Sequence, residues 1–344
     1  MVDTTIPEFD AIWRELEDQA KQRSGLREPL LLRRLVMESD APEVHLATDG
    51  NLLYILIRMP SEWNEDISLL PQWSGMRPGV MHGSERPVPR HFLVLKQEPG
   101  APFDVFKAVA SDICEALVRN PTGSALQVAT DRLQLWKAFF EEAGTLGLGQ
   151  DAQQGLFGEL VVLREHLLPL LGRKRAISVW TGPKHTNHDF QINDYALEVK
   201  TSAAKQHQKI HIPSERQMDT RGLKSLTVVV LSLTALDHGG ETLPQVVASL
   251  RKSVSGDHVA AREFEDSLIE AGYIDAHSHR YSTGYILRSE RAFAVREGFP
   301  RLLEHDLPEG VGDLSYSIAL AACAPFEIDL GEVWQELMLT RSKE

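Results

Sequence analysis

The segment His188-Asp-Phe-Gln-Ile-Asn-Asp-Tyr-Ala-Leu-Glu-Val-Lys200 constrains the fold of this chain more than any other. Asn193-Asp194 has the composition of a two-residue hairpin loop, because both residues tolerate the positive φ that such turns require. With that loop in place the pairing follows: Ile192 opposes Tyr195, Gln191 opposes Ala196, Phe190 opposes Leu197 and Asp189 opposes Glu198. The period-two alternation of a strand then puts Phe190, Ile192, Tyr195, Leu197 and Val199 on one side, with Asp189, Gln191, Ala196, Glu198 and Lys200 on the other. One face is apolar. The other carries two carboxylates and a lysine.

Directly opposed residues have Cβ atoms about 5 Å apart, where like charges repel unless something neutralises them. A divalent cation would do so. Hard carboxylate oxygens at this separation suit Mg²⁺, which is held by one or two carboxylates and keeps waters and phosphate oxygens in its other positions. Lys200 is then placed to orient or deprotonate an attacking water, or to stabilise charge on a phosphate. The plainer alternative is a solvated strand face on which Lys200 pairs with one of the acids.

A helix expected from about Ala152 to Leu168, stopping at Pro169, bears on this choice. Leu156, Leu160, Leu163 and Leu167 form its stripe, and Phe157, Val161, Val162 and Leu168 extend apolar cover round the cylinder, which predicts a buried helix. Glu159 falls inside that cover, where a charge costs several kcal/mol unless it is paired or metal-linked. It reads as a third acid facing the same site, or as an edge glutamate paired with Arg164 or Lys200.

Around these elements, 344 residues suggest two domains or one with an appendage. The first half predicts a helix carrying Phe9, Ile12, Trp13 and Leu16, strands at Glu43–Ala47, Leu52–Arg58 and His91–Gln97, and two helices carrying Phe103 to Leu117 and Leu133 to Phe140. Three glycines between Gly144 and Gln150 mark a boundary, giving an α+β domain over 1–148 for recognition or partner binding and a second domain over 149–344. The second predicts strands near Ile177–Trp180, Asp189–Ile192, Tyr195–Thr201 and Lys209–Ile212. A helix opened by a capping box at Ser214-Glu-Arg-Gln217 follows, then a doubly covered strand at Leu226–Leu233. Leaving out Lys209–Ile212, this is αβββαβ order. An α+β extension follows from about residue 241.

The core-helix glutamate, the aspartate and Glu-x-Lys nine residues later resemble the PD-(D/E)XK nuclease superfamily of restriction and repair enzymes. Gly155-Leu-Phe-Gly-Glu-Leu160, Trp180-Thr-Gly-Pro183, Glu198-Val-Lys-Thr-Ser202, Ser214-Glu-Arg-Gln217 and Arg288-Ser-Glu-Arg291 look like an uncharacterised bacterial family known as the PD-(D/E)XK motif proteins, over nearly the whole chain. The resemblance implies an α/β, restriction-endonuclease-like αβββαβ core. It further implies Mg²⁺, with Mn²⁺ able to substitute, held by Asp189, Glu198 and the Val199 backbone carbonyl, with Glu159 joining directly or through water. Lys200 is the implied water-activating residue. His188 stands where the superfamily's name has proline. Gln217 and Thr201 are candidate substrate contacts, although Gln217 also fits the N3 position of the capping box.

Rival chemistry finds less support. His277-Ser-His279 would place two imidazoles on one face of a strand, but no Cys or third His is near in sequence. His207 and His211 stand in an irregular segment. No GxxxxGK[ST], GxGxxG or Gly-x-Ser-x-Gly motif appears. Cys114 and Cys323 make no disulfide framework, the N-terminus lacks a signal-peptide pattern, and no apolar run spans a bilayer, so the expected setting is the cytoplasm, without membrane contact. Lys+Arg 36 against Asp+Glu 49 gives a net charge of −13, which disfavours broad adhesion to nucleic acid. Two functions stand: a metal-dependent endonuclease cutting DNA, for which the family resemblance implies a restriction or phage-defence setting, and a non-catalytic subunit assembling with a helicase or methyltransferase. A homodimer fits either.

Overall fold

A computed structural model describes residues 9–22, 30–35, 41–68, 70–73, 75–83, 90–184, 186–204 and 208–340. His185 and His207 lie outside the described residues. The chain divides into two compact units, Met1–Leu146 and Gly147–Glu344.

The first unit runs α1 (Phe9–Gln22), β1 (Leu31–Arg34), β2 (Val44–Thr48), β3 (Leu53–Met59), β4 (Met76–Gly83), β5 (Arg90–Gln97), α2 (Phe103–Arg119) and α3 (Ala125–Ala143). Its strands form an antiparallel sheet in the order β1-β2-β3-β5-β4. Alternation in β3 and β5 sends Leu56, Phe92 and Val94 to a small cluster on one face. Helix α2 buries Phe106, Val109, Ile113, Cys114 and Leu117 at helical spacing. Sequence periodicity misses β1 and β4. The latter contains Pro78, Gly79 and Gly83, which depress strand propensity, and it is tolerated because β4 is an edge strand.

The second unit opens with α4 (Gln150–Val162), whose axis continues through a wide π-type turn at Leu163–Leu167 into α5 (Leu168–Leu171). The helix therefore passes Pro169 instead of stopping there. Proline lacks the N–H of an α-helical bond and its ring crowds the carbonyl one turn back, and the widened turn falls where that conflict arises. Gly172, at φ 77, then breaks the axis before α6 (Arg173–Ser178), where a strand is expected. Only Trp180 forms a bridge there, to Phe190.

The remaining elements are β6 (Phe190–Ile192), β7 (Tyr195–Ser202), β8 (Lys209–Ile212), β9 (Ser225–Leu236), β10 (Glu241–Thr242), α7 (Leu243–Val254), α8 (His258–Glu270), β11 (Gly284–Ala294), β12 (Tyr316–Ala319), β13 (Glu327–Ile328) and α9 (Leu330–Thr340). The main sheet has the order β10-β11-β9-β7-β6, with β13 also on β11. Strands β7 and β9 are parallel, and β9 is buried from Leu226 through Leu233, as a strand covered on both faces must be. One face packs against α4. The other packs Ala196, Val228 and Val230 against Ile210, Ile212 and Ile318 of the small β8–β12 sheet. The expected helix at Ser214 is a single 3₁₀ turn, Glu215–Met218, and His277 and His279 lie in another, with His277 buried and His279 exposed. These two imidazoles do not share a face. The unit is a mixed α/β fold.

Candidate active site

Strands β6 and β7 pair through Phe190 with Leu197, Gln191 with Ala196 and Ile192 with Tyr195, and Asn193 turns the hairpin at φ 53. The ladder stops one rung before Asp189. The Asp189 carbonyl, on the side away from β7, accepts hydrogen bonds from Thr181 N (2.8 Å) and Gly182 N (2.9 Å), while its carboxylate turns inward. Its Oδ2 accepts from Val199 N at 2.7 Å. A strand residue projects its N–H and C=O to the same side, so the Val199 carbonyl borders this edge as well.

Glu198 and Lys200 project from the β7 face opposite to Val199 and Thr201. Glu198 is fully buried (0% exposed), with Oε1 2.7 Å from Lys200 Nζ, and its carboxylate also accepts from the Asp189 backbone N–H. Lys200 also donates to Gln217 Oε1 at 2.9 Å. Gln217 therefore does not close a capping box. Ser214 caps the turn alone, through Arg216 N, and the Gln217 side chain points to the ammonium.

Helix α4 delivers Glu159 to this edge. Its fit against β7 is close: a Cβ at Gly158 would come within 2.3 Å of Thr201 Cγ2, so only glycine lets the two backbones approach this far. Glu159 Oε2 accepts from Trp180 Nε1 at 2.8 Å. Arg164 is not its partner, since that guanidinium pairs with Glu241 (2.8 Å) and Glu165. Thr201 is turned to α4, its hydroxyl bonded by Gln154 Nε2 at 3.0 Å, and does not join the acids.

Three carboxylates thus face one ammonium. Burial, with the Asp189 charge added, pushes the Glu198 carboxyl up to about 8. Burial raises Asp189 too, and burial together with Asp189 holds Glu159 well above the glutamate range. Burial works to lower the Lys200 ammonium, but Glu198 and Asp189 outweigh it and keep Lys200 protonated to higher pH than usual. His188 is buried beside Gln217 and Asp219, and burial lowers its pKa, so it is a neutral neighbour.

The residues present fit a divalent cation. Three buried carboxylates face the single Lys200 ammonium, a shortfall of positive charge that a cation would make up. Gly182 leaves a small space that a Cβ would fill, 3.0 Å from Glu159 Oε2 and 3.1 Å from Asp189 Oδ1. The acids border this space without closing on one point, for Glu198 Oε1 is turned to Lys200. Sequence reasoning gives no role to Trp180, Gly182 or His188. The segment Trp180-Thr-Gly-Pro183 is the signal that could have found the first two.

The family described as "Putative PD-(D/E)XK family member, (DUF4420)" matches residues 9–321. No curated protein and no solved structure matches the chain. Among the described residues, no helix is long and apolar enough to cross a membrane.

Proposed function

Because the chain belongs to this PD-(D/E)XK family, we propose that it is a Mg²⁺-dependent phosphodiesterase, a DNA endonuclease of a restriction or phage-defence system, with its centre at Glu159, Asp189, Glu198 and Lys200. The observation that carries this reading is the set of three buried carboxylates, Glu159, Asp189 and Glu198, facing the single Lys200 ammonium, beside a glycine-lined space that two of them border.

Asp189, Glu198 and the Val199 carbonyl would hold the ion, with Glu159 alongside, and Mn²⁺ offers the same oxygen chemistry. When bound, it supplies Lewis-acid polarisation of a phosphate and a more acidic water. The chain's own residues do the rest. Val199 N–H fixes Asp189 in one rotamer, and Trp180 N–H does the same for Glu159. Lys200, steered by Gln217, would orient the attacking water through an N–H hydrogen bond to its oxygen, or stabilise charge building on a phosphate oxygen.

A net charge of −13 favours a second reading, in which the unit binds a helicase or methyltransferase partner and does not cut. Plasmid and phage DNA incubated with Mg²⁺ or Mn²⁺ decides between them. The nuclease reading expects cleavage by wild type that is lost in Asp189→Ala and Lys200→Ala. Cleavage undiminished in both variants would place the chemistry elsewhere.

A further inference from the structure

A second set of ligand atoms lies in the first unit. His82 on β4 and His91 on β5 are directly opposed across the antiparallel ladder, so their side chains stand on the same face of the sheet. Their rings meet edge-on with centroids 5.5 Å apart. Glu65, from the irregular segment between β3 and β4, reaches over both. Its Oε1 lies 2.7 Å from His91 Nδ1 and 3.4 Å from His82 Nδ1. Among the described residues, this is the one triple of His, Cys, Asp or Glu whose ligand atoms all lie within 4.8 Å of one another.

Two observations separate this cluster from an ordinary surface ion pair. His91 Nδ1 is buried and makes no aligned hydrogen bond, despite its nearness to the carboxylate. A buried ring nitrogen facing an anionic oxygen and a second imidazole has the arrangement of a ligand around a cation. Glu65 also holds φ 62, a left-handed conformation that few non-glycine residues adopt, and strain of this kind gathers at built sites.

We propose that Glu65, His82 and His91 form a transition-metal site of the zinc type, with three protein ligands and one open position. The donor set selects the metal. Two imidazoles and one carboxylate suit Zn²⁺, whereas Mg²⁺ takes oxygen ligands almost exclusively. The spacing agrees: bonds of about 2.0–2.2 Å at tetrahedral angles separate neighbouring ligand atoms by about 3.4 Å, which the His82 contact already meets and the His91 contact reaches by a small ring shift. Bound metal ties the segment carrying Glu65 to the β4–β5 hairpin. This site is independent of the acids around Gly182 and stands whether or not those cut DNA.

Equilibrium dialysis of the metal-stripped full-length protein against Zn²⁺, with Mg²⁺ in excess to occupy the acid site, tests the proposal. Wild type and Asp189→Asn should each bind one zinc, and Co²⁺ in its place should give the visible absorption of a tetrahedral ion. His82→Ala and His91→Ala should lose the bound metal, and Glu65→Gln should weaken it at least about tenfold. His45→Ala removes another carboxylate-paired histidine, bonded to Glu43, and should leave binding unchanged. His82 is largely exposed, so its replacement tests the site without threatening the fold. No zinc bound by wild type, or zinc retained in His82→Ala/His91→Ala, would overturn the proposal.

Discussion

The Lys200 ammonium is shared between Glu198 Oε1, 2.7 Å away, and Gln217 Oε1, 2.9 Å away, so a side chain from the 3₁₀ turn after β8 aims a lysine on β7. Glu198 supplies the charge and Gln217 the direction. Gln217→Leu removes the direction alone. A hydrogen bond to a charged group contributes about 1.5–3 kcal/mol, so the cleavage rate should fall by about tenfold to a hundredfold with metal affinity little changed. Single-turnover cleavage beside metal titration separates these two quantities.

The raised carboxyls make stability depend on pH with a definite sign. Glu198 titrates near 8 in the folded chain against an ordinary value of 4.5, so between those pH values the folded state binds more protons than the unfolded one. Stability of the metal-stripped protein should therefore fall as pH rises from about 4.5 to about 8. Asp189 and Glu159 act in the same direction. Glu198→Gln should flatten the slope, and added Mg²⁺ should raise the melting temperature more at the upper end of the window than at the lower. Thermal melts in chelator across this range check both outcomes.

Gly158→Ala places a methyl against Thr201 Cγ2, where the gap allows only 2.3 Å. Overpacking of this kind costs about 1–3 kcal/mol. Thr201→Ser removes the obstructing methyl and keeps the hydroxyl that Gln154 bonds. The double variant should recover most of the loss in a urea melt, which makes the pair a double-mutant cycle with strong coupling. Simple additivity of the two changes would show that this contact does not set the helix position.

Gly182→Ala fills the space beside Glu159 and Asp189 while leaving every acid in place. The nearest atoms need move only a few tenths of an ångström, so the protein should fold normally. Metal affinity and cleavage should both drop. Isothermal titration with Mn²⁺ reads the first, and unchanged affinity would exclude this space as the ion's seat.

Asn193-Asp194 carries the hairpin register in its own composition, which is why the pairs from Ile192–Tyr195 to Phe190–Leu197 are legible without a structure. The Asp189–Glu198 rung is not formed, because the Val199 N–H that would continue the ladder to the His188 carbonyl is taken by the Asp189 carboxylate at 2.7 Å, a side-chain contact that no alternation pattern encodes. Local spacing places Ser214 and Gln217 as a capping box equally well, but a buried ammonium is a stronger attraction for the amide oxygen than a helix terminus. His82 and His91 escape notice for a similar reason: β4 carries a proline and glycines and does not read as a strand, so nothing sets the two histidines opposite each other.

Strand β9 has a consequence for the newly made chain. All four residues of the acid-lysine cluster lie between positions 159 and 200, yet β7 is held in the sheet by its parallel partner beginning at Ser225. A lone two-stranded hairpin is marginal in water, and its buried carboxylates would return to solvent. A ribosome that has released the chain only as far as Leu223 has therefore delivered all four side chains of the cluster without the strand that holds β7 in place. On the nuclease reading proposed above, the apolar run from Leu226 to Leu233 is the arming step, and a fragment ending before it should be inert toward DNA although its acids are intact.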